Sequence, residues 1–356
     1  MSTPETAPAP LRLGTRGSAL ATTQSGMVAR RLEELLGRPV ELVRIRTEGD
    51  VKTGSLASLG GTGVFVTALR EALLDGRCDV AVHSLKDLPT AQPADLTIVT
   101  PEREDPRDAL CARDGLTLDT LPRGARVGTG SPRRAAQVQA ARPDVELVDI
   151  RGNVETRLAR ALGPDADLDA VVLAHAGLSR LGRTEVVTHL LDPAVVAPAP
   201  GQGALAVEAR TEDLAGSVLG EAFAALDHRP TRVAVLAERA VLARLEAGCA
   251  APVGAHARVE AGELQLTAVV ARVDGTEQLT HAASAPLGGD AVAQDEAATA
   301  LGIRVAESLL ADGAARLAPL VGGTGAPRTG EADHVAPRQD VEPLHAPTGT
   351  DDPEGS

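Results

Sequence analysis

The sequence predicts an α/β fold built as two hinged, doubly wound α/β lobes followed by a small α+β third domain. Three observations predict it. Short apolar runs of strand length (11–15, 40–46, 80–82, 96–100, then 126–129, 145–150 and 170–174) alternate with amphipathic stretches of helix length, the pattern of parallel strands joined by crossover helices. Two Pro-rich segments, PEREDPRD at 101–108 and PAPGQG at 198–203, bracket the second run of this pattern, so the chain leaves the first lobe and returns to it. Beyond Pro230 the grammar changes to one long helix, a β region at 253–273 and a second long helix at 291–310.

Taken in order, residues 1–10 are rich in Pro, Ala and Thr and read as disordered. After the strand 11–15 come Arg16, Gly17 and Ser18, then a helix over 19–36 with apolar positions at 20, 27, 28, 32 and 35 and a stop at Gly37. Ser18 is a candidate N-cap, so Arg16 and Ser18 stand where free N–H groups meet an anion; on local evidence alone simple capping is the favoured account of Ser18. The strand 40–46 leads into a Gly- and Ser-rich loop, 48–63, and a helix over 64–75. GGTG at 60–63 lacks the Walker lysine and the third glycine of a dinucleotide fingerprint, and reads as a mobile loop; Phe65 reads as core.

CDVAVHSLKDLP at 78–89 is the stretch with the most chemistry. A buried strand at 80–82 delivers His83, Ser84, Lys86 and Asp87 to its carboxyl end, where open α/β sheets bind ligands. A carboxylate beside an ammonium there is a poised pair for proton chemistry, and equally the composition of a surface salt bridge. Lys52 and Lys86 are the only lysines in a chain whose other basic side chains are arginine, so position 86 is a candidate site for a compact ammonium.

In PEREDPRD, Arg103 and Asp105 read as hinge salt bridges. The strand 126–129 then runs into GTGSPRRAAQVQAA, with Ser131 as N-cap and Pro132 opening the helix. Arg133 and Arg134 occupy the first helical turn, where the helix dipole disfavours cations unless an anion sits at the same point. Gly128 and Gly130 begin a GxGxxG pattern, but Arg133 replaces its last glycine and a nucleotide site is rejected. The grammar repeats at 145–150, followed by Arg151, Gly152 and Asn153 and a helix over 154–162 carrying Arg157. It repeats again at 170–174, followed by HAGLSRLG with Arg180. One such arginine is ordinarily a solvated face; three at equivalent strand ends converge on one crevice. His175 reads as structural or peripheral. A strand at 205–209 and helical stretches over 214–226 and 231–245 follow, ending in EAGCAAPVG. Cys249 there lies between Gly248 and Ala250, open to attachment or nucleophilic use, although free cysteines are more often buried and inert. Residues 321–356 read as a disordered tail.

Composition narrows the function. A chain of 356 residues with 43% apolar content and no apolar run of transmembrane length is that of a soluble globular protein. MSTPETAPAP lacks a basic region followed by an apolar one, so no secretory signal is expected. Cysteines 78, 111 and 249 have no CxxC spacing, as expected of a reduced compartment, and the scattered histidines give no metal motif. The net charge of −14 and the absence of Trp and Tyr argue against a nucleic-acid partner. The local arginines still suit a small polyanion.

GTRGS at 14–18, GDV at 49–51, AVHSLKDLP at 81–89, EREDPRD at 102–108, VGTGSPRR at 127–134, RGNVETRL at 151–158, LAHAGLSRLG at 173–182, PGQGAL at 200–205 and LEAGCAAPVG at 245–254 together resemble the porphobilinogen deaminase (hydroxymethylbilane synthase) family over residues 11–320. The resemblance implies a cytoplasmic, monomeric enzyme of tetrapyrrole synthesis that acts on porphobilinogen, without metal, membrane or nucleic acid. It would condense four molecules head to tail into 1-hydroxymethylbilane with release of ammonia. It implies priming on a dipyrromethane cofactor joined by a thioether to Cys249. Domain 1 would be 11–101 with 203–221, domain 2 would be 108–197, both similar to the lobes of periplasmic binding proteins, and domain 3, 226–320, would carry the cofactor cysteine.

Carried over by motif, Arg133, Arg134, Arg157 and Arg180, with Ser84, Lys86, Asp87, Thr129 and Ser131, would hold the cofactor. Arg16, Ser18, Arg151 and Arg157 would receive substrate. Asp87 would be catalytic, stabilising the azafulvene cation left by ammonia loss and moving the protons of condensation. Arginine suits the acetate and propionate of each pyrrole because its planar fork meets carboxylates bidentately. The chain departs from the family at Ser58 and Thr62, where relatives often carry lysines, at Gly130 and Pro132, and at Glu155, which brings an acid towards the substrate arginines. A non-catalytic binder of polycarboxylates would explain the arginines but neither the third domain nor Cys249, and a cysteine acyl transferase lacks a motif-placed histidine.

Overall fold

The structure, a computed structural model, describes residues 9–45, 63–247 and 251–320. Cys249, Lys52, Ser58, Thr62, the Phe65 side chain, most of the loop 48–63 and the tail 321–356 lie outside the described residues.

The first lobe opens with β1 (Leu11–Thr15), α1 (Ala19–Leu36), β2 (Val40–Arg44), α2 (Gly63–Leu74), β3 (Val80–Ser84) and β4 (Leu96–Val99). β1 is parallel to β2, with Leu11 opposite Val40, and to β3, with Leu13 opposite Val80. Burial on both faces explains why β1 and β3 read as apolar runs, while β2, at the sheet edge, is half-exposed. Ser18 caps α1 by accepting from Ala21 N at 3.2 Å, and Gly37 ends it at φ 62° with its N–H on Glu33 O.

The second lobe comprises β5 (Asp108–Ala112), β6 (Arg126–Gly128), α3 (Pro132–Ala141), β7 (Glu146–Val148), α4 (Val154–Leu162), β8 (Ala170–Ala174), α5 (His175–Arg180) and β9 (His189–Leu190). The sheet order is β7-β6-β8-β5-β9, with β6 parallel to β7 and β8, and β5 antiparallel to β8 and β9. β5 was not anticipated: the sequence reading ended the crossover at 108, yet DALCA is a fully buried strand. The glycines of GTG are packing residues. A Cβ at Gly128 would meet Leu168 at 2.6 Å, and one at Gly130 would meet Ile150 O at 2.4 Å.

β10 (Leu205–Arg210) then returns to the first sheet, antiparallel between β3 and β4, giving the order β2-β1-β3-β10-β4. The two crossovers run together: Glu104 N donates to Gly203 O at 3.3 Å. Gly203 adopts φ 87°, and a Cβ there would lie 2.5 Å from Glu104 O, so only glycine fits.

α6 (Val218–Leu226) starts four residues later than the sequence suggested because residues 211–213 form a 3-10 turn and Ser217 supplies the cap. The last part packs α7 (Arg229–Arg244) and α8 (Ala291–Ala311) on an antiparallel sheet of β11 (Val253–Glu260), β12 (Glu263–Ala271) and β13 (Gln278–Pro286). β13 also went unread, since QLTHAASAP has too few large apolar residues to mark a strand. Gly302 lets the helices close: a Cβ there would sit 2.3 Å from Ala237 O.

Candidate active site

The carboxyl end of β3 runs into a 3-10 turn, Leu85–Asp87. Leu85 and Leu88 are buried against Val66, Ala204, Ala206 and Val235, which anchors the turn and leaves Lys86 and Asp87 half-buried between its anchors. Two further restraints hold it. Before the turn, His83 Nε2 lies 2.9 Å from the buried Glu208 of β10, which also receives Arg70 at 2.7 Å. Burial raises the Glu208 carboxyl, but His83 and Arg70 outweigh it and hold it at about 2. On the turn itself, Arg239 of α7 donates to the carbonyls of Leu85 (3.3 Å), Leu88 (3.1 Å) and Pro89 (2.5 Å). Sequence reasoning missed Arg239, because nothing in a helical AERA marks a contact 150 residues away. Replacing Arg239 by leucine is expected to lower kcat by about tenfold, the order of a lost charged hydrogen bond, with Arg239→Lys partly restoring it. Steady-state kinetics alongside thermal melts check this.

Ser84 is tied to α1 through Gln24, whose Nε2 lies 3.2 Å from Ser84 Oγ. At the head of that helix the Ser18 hydroxyl serves as the cap, and Arg16 is half-buried beside it. α1 packs against α5, so this corner adjoins the helix that carries Arg180.

The second lobe contributes the cations. Thr129 is buried and its Oγ1 accepts from Ser131 N at 3.3 Å; Ser131 caps α3. Arg133 and Arg134 are both buried, and the anion that their position demands is first supplied by the chain itself. Asp108 Oδ2 meets Arg133 Nη1 and Oδ1 meets Arg134 Nη2, each at 2.8 Å. Burial opposes ionisation of Asp108, yet the two guanidiniums hold its carboxyl far below the usual carboxylate range. Two cations on one carboxylate still leave a positive excess.

Around that excess stand the others. Lys86 is pushed down to about 8, by burial first and by Arg134 next, while Asp87 and Asp108 act in the opposite direction. Arg157, on the first turn of α4, donates to Gly152 O at 2.8 Å and is lowered by burial, Arg134 and Arg151. Arg180 donates to Gly203 O at 2.6 Å, and its buried Nε has no partner among the described residues. Arg151 is exposed, 3.3 Å from Asp149. Lys86, Arg133, Arg134, Arg151 and Arg157 therefore form one mutually repelling set drawn from both lobes, an arrangement whose cost an anionic ligand relieves.

Other expectations resolve differently. Glu155 is held in an ion pair by Arg183, so it is not a free acid beside Arg151 and Arg157. Arg103 does bridge, to Glu238 of α7 at 2.7 Å, whereas Asp105 pairs with its neighbour Arg107. His175 lies 3.9 Å from Asp105, peripheral to the cluster. No group of His, Cys, Asp and Glu fit to hold a metal occurs among the described residues, and no described helix is long and apolar enough to cross a membrane. Cys78 and Cys111 are free and buried.

Two α/β lobes that join an acid–ammonium turn to a shared set of unbalanced cations, with a third unit clasping that turn, form a site suited to small polycarboxylates. The comparisons agree. The sequence model for the dipyromethane cofactor binding domain of porphobilinogen deaminase matches residues 11–216, and that for its C-terminal domain matches residues 233–311. The chain is 57% identical to porphobilinogen deaminase of Micrococcus luteus, over 90% of this chain and 98% of that protein. It is 55% identical to that of Cutibacterium acnes (87% and 97%) and 56% identical to that of Leifsonia xyli (88% and 95%). The chain belongs to the porphobilinogen deaminase family, enzymes of tetrapyrrole biosynthesis that build hydroxymethylbilane from four porphobilinogen molecules on a dipyrromethane cofactor.

Among solved structures, a periplasmic substrate-binding protein from Coxiella burnetii is similar at TM-score 0.37 and 14% identity, covering 61% of this chain and 91% of that one. An arginine-specific periplasmic binding protein from Salmonella typhimurium gives 0.37 and 14%, covering 62% and 92%. The fold assignment rests on the strand orders above. The cation set fits the cofactor: a dipyrromethane bears an acetate and a propionate on each ring, and Arg180 Nε, without a partner among the described residues, and Lys86 and Arg157, which bond only to amide oxygens there, are donors left for carboxylates.

Proposed function

We propose that the cleft between the lobes carries out the stepwise condensation with Asp87 as its catalytic carboxylate and Cys249 as the point of cofactor attachment. The observation that carries this reading is the Lys86–Asp87 turn at the carboxyl end of β3, where Lys86 faces Arg133, Arg134 and Asp108 of the second lobe and Arg157 stands next to Arg134. Lys86, Arg133, Arg134, Arg157 and Arg180, with Ser84, Thr129 and Ser131, hold the cofactor, whose role when bound is to offer a nucleophilic pyrrole carbon to each incoming unit. Arg16, Ser18, Arg151 and Arg157 receive the substrate carboxylates. In this assignment Arg134 is the most encumbered, since Asp108, Val172 O and Gln202 Oε1 already take its Nε, Nη1 and Nη2, whereas Arg133 is engaged through Nη1 alone.

Asp87 would stabilise the positive charge that develops as ammonia leaves and would accept the proton lost when the rings join. Its anchored turn keeps that carboxylate in register through successive additions. The division into domains at 11–101 with 203–221, 108–197 and 226–320 is supported by the three sheets, with Glu238 tying the third to the crossovers through Arg103 and Gly201 and Arg239 tying it to the 85–89 turn. Free Cys78 and Cys111 suit a cytoplasmic setting, and a monomer suffices for every assigned role.

Intact mass spectrometry of the denatured chain, with peptide mapping around Cys249, tests the reading. The expected result is an added mass of two porphobilinogen units less their ammonias, localised to Cys249. A chain that stays unmodified after incubation with porphobilinogen or hydroxymethylbilane would overturn it in favour of a non-catalytic polycarboxylate binder.

A further inference from the structure

Gln202 lies in the second crossover and is only 1% exposed. Its backbone is pinned on both sides: the N–H donates to Ala199 O at 2.8 Å, and the carbonyl accepts from Arg103 Nε at 2.7 Å. Its carboxamide then reaches both lobes. Oε1 accepts from Lys86 Nζ at 3.3 Å and from Arg134 Nη2 at 3.5 Å, while Nε2 donates to Asp108 Oδ1 and to Pro106 O, both at 2.8 Å. The ammonium and the guanidinium can only donate, and the carboxylate and carbonyl can only accept, so the neighbours fix the orientation of the amide. A glutamate at this position offers no donor, and a hydrocarbon offers neither group.

We propose that Gln202 is a positioning residue: it holds Lys86 of the first lobe against Arg134 of the second, anchors both to the crossovers, and does so without adding charge. The proposal rests on the assignment of Lys86 and Arg134 to the cofactor carboxylates. Neutrality matters because the two cations face few anions. The charged groups facing Lys86 are Asp87 on its own turn, Arg133 and Arg134 on α3, and Asp108 on β5. A carboxylate at 202 would neutralise the charge that the ligand is bound by, and would confront Asp108. A hydrocarbon would strip Lys86 and Asp108 of a partner each and let the ammonium drift from its place.

The lysine count makes the idea measurable. With only Lys52 and Lys86 in the chain, acetylation of Lys86 against pH, read by peptide mass, reports on the ammonium directly. The full-length chain would be produced in cells that make no porphobilinogen, as the native sequence and as Gln202→Glu and Gln202→Met. Half-labelling of Lys86 is expected near 8 in the native chain and about one pH unit or more higher in Gln202→Glu. Gln202→Met is expected to acquire its two pyrrole units from porphobilinogen about tenfold more slowly or worse, and once loaded to show a lower kcat at an unchanged KM.

If both variants match the native chain in labelling curve and acquisition rate, the proposal is overturned, even where their melting temperatures fall. If the native chain itself acquires nothing, the functional reading fails and takes the proposal with it.

Discussion

The chain with Asp87 replaced by alanine is expected to keep its fold and lose its turnover, by a factor of about 10²–10⁴, the range for removing a positioned acid–base group. The fold should survive because the turn is held by other means. Leu85 and Leu88 are its apolar anchors, and Arg239 grips its carbonyls. None of these bonds uses the Asp87 carboxylate. The loss should fall on kcat, since the carboxylate acts on charge that appears only as ammonia departs. Asp87→Glu should restore part of the rate, and Asp87→Asn almost none. A second readout separates chemistry from binding. Asp87 helps to keep the Lys86 ammonium charged, so its removal should move half-labelling of Lys86 below about 8. Single-turnover consumption of porphobilinogen, together with the mass of the loaded chain, checks the first effect. Near-normal turnover in Asp87→Ala would remove the catalytic assignment.

The elements that were legible in the sequence are those whose ends are written in local chemistry. α1 begins and ends where Ser18 and Gly37 said it would, and α4 starts at its Asn153 cap, whose Oδ1 accepts from Thr156 N at 2.9 Å. β5 escaped because its five residues follow a run of charges and prolines, and its strand character comes from burial against β8. β13 escaped because small and polar residues alternate along an edge strand. At the site, Arg133 and Arg134 were readable as a breach of the dipole rule, which is local. Their answer, Asp108, was not, because the pairing spans 25 residues and two elements. Gln202 and Arg239 were invisible for the same reason: their work is done through contacts about 100 residues or more away. Local rules exposed the conflict, and only the fold showed how much of it the chain resolves by itself.

That internal resolution sets the second large effect. Asp108→Asn keeps the shape of the side chain and its bond to Gln202 Nε2 in reach, but leaves two buried guanidiniums without their carboxylate. Breaking a buried pair from one side costs about 3–5 kcal/mol, because the surviving charge stays desolvated. The variant should be less stable than the native chain by about that amount at neutral pH, measured by urea denaturation. The pH dependence carries the sign. Asp108 is held far below its ordinary value of 3.8, so its contribution is complete above that value and is lost as the pH falls through the lower, folded one. The gap between the two proteins should therefore narrow in acid, and a gap unchanged below pH 3.8 would contradict the pairing. Sulfate offers a further check. An anion that enters the freed arginines should raise the stability of Asp108→Asn more than that of the native chain, because binding to the folded state alone stabilises it by mass action. The same physics describes the working enzyme: Asp108 satisfies enough of the arginine charge for the lobe to fold and leaves enough unsatisfied for a polycarboxylate to bind.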